Sequence, residues 1–239
     1  PEEWAQAAYL YDRVFAGESV HLPAQPLDVG GAGAGQVFDA YVTPVRGEDG
    51  RVAYAHMTGF EVGAKLRAEA ALRVSEERQA FLLSLSDALR PLADPIEIQG
   101  VASRMLGRRL DVDRVYYNEI DEGRDLILVE REYRRGPGPS AVGRFPLGDF
   151  EWLMPDFRAG RVVVAADVER AEQVPETAKA VLRAIGAIAY VATPLLKEGR
   201  IVAALSVTNG APRRWTPDEL ELVLETADRT WAAVERARA

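Results

Sequence analysis

The chain of 239 residues has no cysteine, only two histidines, and no long apolar run. Without cysteine, a disulfide framework, a thiolate metal site and a thiol nucleophile are all excluded. His21 and His56 are too few for a histidine-rich metal centre, and each reads as packed or exposed rather than catalytic. A basic excess is also missing: Lys and Arg total 29 against 37 Asp and Glu, a net charge of −8. A nucleic-acid module carries clustered basic surplus, so no nucleic-acid partner is expected. The longest apolar stretches, such as Ala187–Ala192, fall far short of the ~18 residues of a membrane span. The opening Pro1-Glu2-Glu3-Trp4 is acidic where a secretory signal is basic. The composition therefore predicts a soluble, cytoplasmic chain, and its start at Pro1 reads as an excerpt from a longer one.

What is present is organised in three parts. Residues 1–62 begin with Trp4, Ala8, Tyr11 and Phe15 at helical spacing, closed by Gly17, and continue through a Pro/Gly-rich stretch from Pro23 to Gly35. Val37–Val45 and Arg51–Thr58 then read as a hairpin around Asp49-Gly50. Residues 63–79 form a charged helix by propensity. It turns apolar at Phe81, Leu82, Leu85 and Leu89, and Pro91 ends it. From Pro95 onward, helix and strand alternate. The strongest hairpin joins Ile188–Leu196 to Arg200–Thr208 through Lys197-Glu198-Gly199. Thr216-Pro217-Asp218-Glu219 has the capping-box pattern of a helix start, and Leu220, Leu224, Ala227, Trp231 and Val234 form an apolar stripe behind it.

Residues 80–236 resemble a GAF domain. The resemblance rests on Asp113-Arg114-Val115-Tyr116-Tyr117, on Val191-Ala192-Thr193-Pro194-Leu195, on Gly199 through Val207, and on Trp215 through Leu220, in the family's order. Residues 1–62 resemble the second half of a PAS domain, on Val45 through Val52 and the exit helix Ala68 through Arg78, with Glu61-Val62-Gly63 in place of the usual Asp-Ile-Thr exit. The closing Thr230–Arg238 is similar to the exit of such domains in bacterial two-component sensor histidine kinases, whose kinase core lies further downstream. The resemblance implies an α+β fold. A GAF-like antiparallel sheet is flanked by helices on both faces and preceded by a partial PAS-like unit and a linker helix. It also implies a sensory input module rather than an enzyme, relaying a ligand state through helices to an effector. The expectation from another class is a structural dimerisation module with no ligand.

Period-two alternation puts Tyr116 and Asn118 on one strand face, Tyr190 on another, and Ser206 and Thr208 on a third. With Asp167 nearby, these are the candidate lining of a small-molecule pocket, against the plainer reading that the tyrosines fill it as core. The cofactor is left unknown. Covalent bilin attachment by cysteine is excluded within this chain, and of the bilin-pocket motif only Asp167 and its apolar neighbour match, the two expected histidines having no counterpart. Asn209, Trp215, Asp218 and Glu219 resemble part of the cyclic-nucleotide motif, but Gly210 replaces its lysine and Trp215 its phenylalanine. The two acids equally suit a first helical turn. Gly30 and Gly35 have P-loop spacing, yet Gln36-Val37 stand where Lys and Ser/Thr are required. Glu119, Asp121, Glu130 and Glu132 read as exposed partners of Arg114, Arg124 and Arg131. The stripes on residues 79–89 and 220–234 exceed what one helix pair buries, which predicts a homodimer through the terminal helices with Trp231 as its anchor.

Overall fold

A computed structural model describes residues 2–26 and 36–239 of the chain. The chain divides into two units, Pro1–Glu77 and Arg78–Ala239. The glycine-rich segment 30–35 lies outside the described residues.

In the first unit, α1 (Glu2–Phe15) precedes a three-stranded antiparallel sheet of β1 (Val20–Pro26), β2 (Val37–Arg46) and β3 (Val52–Glu61), in the order β1-β2-β3. The Asp49-Gly50 turn closes as the sequence predicts: Gly50 takes φ +76°, and Asp49 Oδ1 accepts from Arg51 N at 3.0 Å. β1 overlaps the start of the Pro/Gly-rich stretch that begins at Pro23. It is an edge strand with a register break between Leu22 and Gln25, a setting in which its prolines are tolerated. Val14 of α1 packs with Val20 and Val42 on one sheet face. On the other face His21 stacks on Tyr41 at 4.3 Å and meets Asp39 at 2.5 Å.

α2 (Gly63–Leu89) runs unbroken through the predicted linker into the apolar segment. In the second unit, α2 contributes Leu82, Leu85 and Leu89 to the main core. There follow α3 (Pro95–Leu110), β4 (Arg114–Asp121), β5 (Leu126–Val129), β6 (Glu132–Arg134), β7 (Gly143–Pro146), α4 (Met154–Arg158), β8 (Val163–Ala165), α5 (Glu176–Ala184), β9 (Ala189–Lys197), β10 (Arg200–Asn209) and α6 (Pro217–Arg238). The strands form an antiparallel sheet in the order β7-β5-β4-β10-β9-β8, with β6 also pairing β4. The α+β fold expected from sequence is the one observed.

Helix ends follow their sequence signals. Asp94 caps α3 by accepting from Ile96 N at 3.1 Å, with Pro95 in the first turn. Thr216 and Glu219 complete the capping box of α6, at 3.2 and 2.9 Å, an arrangement whose hydroxyl alone contributes about 1 kcal/mol. At the β9–β10 turn, Glu198 and Gly199 adopt φ +51° and +76°, the left-handed pair that matches strand twist in a two-residue hairpin.

The sheet has two differently dressed faces. Val115 and Tyr117 of β4, Val191 and Leu195 of β9, and Leu205 and Val207 of β10 pack with α2, α3 and α6. This core corrects the reasoning behind the predicted dimer anchor. Ala227, Trp231 and Val234 are 1%, 7% and 0% exposed within a single chain. The sheet, which helix periodicity cannot count, takes up the stripe, and Leu224 alone of its five members is exposed at 37%.

Candidate functional site

The opposite sheet face forms the floor of a cavity. Alternate residues reach it: Tyr116, Asn118 and Ile120 from β4, Tyr190 and Ala192 from β9, and Ala204, Ser206 and Thr208 from β10. The roof comes from the 3-10 segment Leu147–Leu153, from α4 and from the end of α5. Three-residue periodicity puts Leu147, Phe150 and Leu153 on one side of that segment, and all three pack into the core beneath. Phe145 meets Phe150 edge-on at 6.3 Å, and Trp152 meets Tyr190 edge-on at 6.1 Å. The remaining space is about 60 Å³, counted at the centres of water-sized molecules. That is room for about four waters at ~15 Å³ each.

Polar groups in the cavity fall into two sets. Asn118 Nδ2 donates to Ser206 Oγ at 2.7 Å and to Ala204 O at 3.3 Å, so that pair is internally satisfied. The Tyr190 hydroxyl and the Trp152 indole N–H are buried without a hydrogen-bond partner. Native interiors rarely leave such groups unpaired. Burial pushes the Tyr116 phenol up to about 12 against the opposing pull of the Arg114 cation. Burial also raises Tyr190, with the negative charge of Asp156 adding to it. Both phenols are therefore neutral donors at physiological pH.

Arg114 fastens the rim. Its guanidinium donates to Pro139 O at 2.6 Å and to Ile185 O, joining the loop over the cavity to the end of α5. Arg114 Nε stands 3.0 Å from Glu132 Oε2 but makes no aligned hydrogen bond there, so that contact is an ion pair. Glu132 accepts from Ser140 Oγ at 2.8 Å and Ala141 N at 2.9 Å. The two side chains are 7% and 9% exposed, which corrects the expectation of an exposed cross-strand pair. Asp121 does pair with Arg124 at the surface, whereas Glu119 meets Gln99 and Arg238.

Of the six candidate residues, Tyr116, Asn118, Tyr190, Ser206 and Thr208 line one cavity. Asp167 does not. Its carboxylate accepts from Glu169 N at 3.0 Å and faces Arg170, capping the 3-10 turn Val168–Arg170. The aromatic roof and Arg114's role went unread in the sequence. A signal existed: four of the eleven Phe and Trp residues fall within 145–157. Asn209 donates to Ala211 O, Trp215 Nε1 to Ala165 O at 3.4 Å, and Glu219 is shared between the helix cap and Arg213. The acids of the cyclic-nucleotide-like motif thus belong to the start of α6.

The GAF domain model matches residues 94–234, more than half of the chain. None of the curated proteins matches it. Among solved structures, the phycoerythrobilin-bound GAF domain of a cyanobacterial phytochrome is 18% identical with a TM-score of 0.60, covering 67% of this chain and 96% of its own. A far-red absorbing dark state with bound biliverdin is 16% identical, TM-score 0.59, covering 66% and 99%. Free methionine-R-sulfoxide reductase from Neisseria meningitidis, in complex with its substrate, is 16% identical, TM-score 0.55, covering 67% and 90%. At these identities the likeness is one of fold.

These neighbours correct the cofactor expectation. The sequence left the cofactor class blank, whereas the neighbours with bound bilins make bilin the group against which this pocket has to be tested. The residues present do not fit it. There is no cysteine to attach it, and the aromatic side chains that line the cavity leave it only about 60 Å³. The floor, roof and capped terminal helix all lie within the segment that the family model spans, and the chain belongs to the GAF domain family.

Proposed function

We propose that the chain is a sensory input module whose cavity takes a small, largely apolar molecule bearing a hydrogen-bond acceptor such as a carbonyl. The observation that carries this reading is the pair of unpartnered donors, Tyr190 Oη and Trp152 Nε1, in a mainly apolar cavity. An acceptor between them would recover the cost of leaving buried donors unpaired, about 1–3 kcal/mol each. Tyr116, Asn118, Ser206 and Thr208 are the further ligand-facing residues. The proposed role is binding: the buried Arg114–Glu132 pair is tied to backbone groups at the rim, a positioning arrangement. The strands that line the cavity carry the core against α2, α3 and α6 on their reverse face, a route by which occupancy reaches the terminal helices. On this reading residues 1–62 are the PAS-like half, residues 63–79 the signalling linker, and a histidine kinase core the downstream effector, in a homodimer.

Thermal shift against a library of small carbonyl compounds tests the proposal. A ligand at 100 times its Kd stabilises by about 2.7 kcal/mol, and Tyr190→Phe should remove most of that shift while leaving the unliganded protein at least as stable. Absence of any shift across the library favours the second reading, a ligand-free dimerisation module, which the small cavity volume supports.

A further inference from the structure

Four guanidinium groups line a second cleft, distinct from the aromatic cavity. α3 supplies Arg104 and Arg108, β6 supplies Arg134, and Arg131 stands just before that strand, around Tyr133 and Gly100. The cleft offers about 400 Å³ to the centres of water-sized molecules. Two buried glycines of α3 build it. A Cβ on Gly100 would stand 2.4 Å from Arg131 Cδ, and one on Gly107 would stand 2.1 Å from Tyr133 Cδ1. Bare backbone at both positions lets residues 131–133 lie down on the helix.

Among the described residues, most of the cleft's charge has no acidic partner. Glu132 is its one acid, and that carboxylate is turned inward to Arg114, Ser140 and Ala141. Arg134 is partly engaged, by Gly138 O and at 3.9 Å from Glu132. Among the described residues, Arg104, Arg108 and Arg131 carry no ion pair. Asp111 and Asp113, next along the chain from α3, are held by Arg135. Like charges gathered this way repel one another, and a chain of net charge −8 has no need of them for solubility.

We infer that this cleft binds a compact oxyanion of the phosphate-ester class. Arginine forks give paired, charge-assisted hydrogen bonds to such oxygens, and Tyr133 supplies a flat wall for the organic part. The overall negative field repels an extended polyanion, whereas a compact anion held between α3 and β6 meets mainly the local arginines.

Isothermal titration calorimetry with inorganic pyrophosphate at low salt tests this. The expected result is saturable one-site binding that weakens as salt is added. The Arg104→Gln, Arg131→Gln double variant should lower affinity by at least about tenfold with an unchanged melting temperature. Arg124→Gln, at an exposed arginine outside the cleft, should bind as the parent does. No saturable binding, or an affinity the double variant does not change, overturns the proposal. So does tighter binding of a hexaglutamate peptide, which would mark an acidic protein segment as the partner. Binding to phosphatidate-containing vesicles but not to soluble pyrophosphate would overturn it in favour of a membrane surface.

Discussion

Replacing Arg114 with methionine keeps the aliphatic stem but removes the cation that holds the cavity rim. Three contacts go: the ion pair to Glu132 at 3.0 Å, the bond to Pro139 O at 2.6 Å and the bond to Ile185 O. Breaking a buried pair by deleting one partner costs about 3–5 kcal/mol, because the remaining charge is stranded. Glu132 would retain its Ser140 and Ala141 donors, and the lost ion pair lacks an aligned hydrogen bond, so the lower end applies: about 3 kcal/mol. For a unit of this size, each kcal/mol moves the midpoint by ~2–4 °C, giving a drop of about 6–12 °C. Thermal unfolding followed by tryptophan fluorescence reads the drop, and urea unfolding the free energy, since Trp152, Trp215 and Trp231 all lie in the second unit. Adding Glu132→Gln removes the stranded charge while leaving an acceptor for the same two donors, and should restore at least half of the loss. A single-variant loss below about 1 kcal/mol, the range of an exposed pair, would refute the rim argument. So would a double variant less stable than the sum of its singles.

Gly107→Ala puts a methyl where the Tyr133 ring lies, and overpacking of about 1–3 kcal/mol should exceed the helix-propensity gain of ~1 kcal/mol. In a Tyr133→Ala background the same change should stabilise, and denaturant midpoints of the four proteins decide it. Trp231→Glu should unfold the second unit rather than release a folded monomer, because loss of the buried ring alone costs about 3–5 kcal/mol; a native circular dichroism spectrum would contradict this. Asp113 is partly buried, which by itself would raise its pKa, but the Gly210 N–H and the Arg135 cation hold its carboxyl below the usual value of 3.8. Its stabilising contribution is complete above that value and is lost as pH falls through the lower folded pKa. Asp113→Asn should therefore flatten the acid limb of a stability–pH profile, and an unchanged limb would count against the assignment.

The floor of the cavity was legible because strand faces alternate strictly, so Tyr116, Asn118, Tyr190, Ser206 and Thr208 follow from parity once the strands are placed. The roof was not. A 3-10 segment has a period that neither helix nor strand templates search for, and Phe150–Arg158 reads as one ordinary helix. Asp167 failed because a family motif, not periodicity, placed it; a short polar side chain beside a turn satisfies its own backbone first. β1 was hidden by Pro23 and Pro26, which local propensity scores as loop and an edge strand accepts. Trp231 was misjudged because the width of an apolar stripe says nothing of the area opposite it. The arginine cleft depends on Gly100 and Gly107 meeting residues 131–133, a long-range juxtaposition that no local window contains.

β10 carries one residue too many. Its register against β9 breaks between Ile201 and Ala203, which leaves Val202 unpaired in that ladder. The break explains why Ile201 belongs to the cavity-side core while Ala203, of the same parity, belongs to the helix-side core. Deleting any residue from Ala204 to Thr208 would exchange wall and core over part of the strand, setting Ser206 or Thr208 against the packed helices or Leu205 and Val207 towards the cavity. Val202 is the place where the central hairpin can lose a residue and keep its bookkeeping from Ala203 onward, with the change confined to the turn beyond Ile201. Length variation in this strand is therefore channelled to a single site, and a chain shortened there would keep its cavity while one shortened three residues later would not.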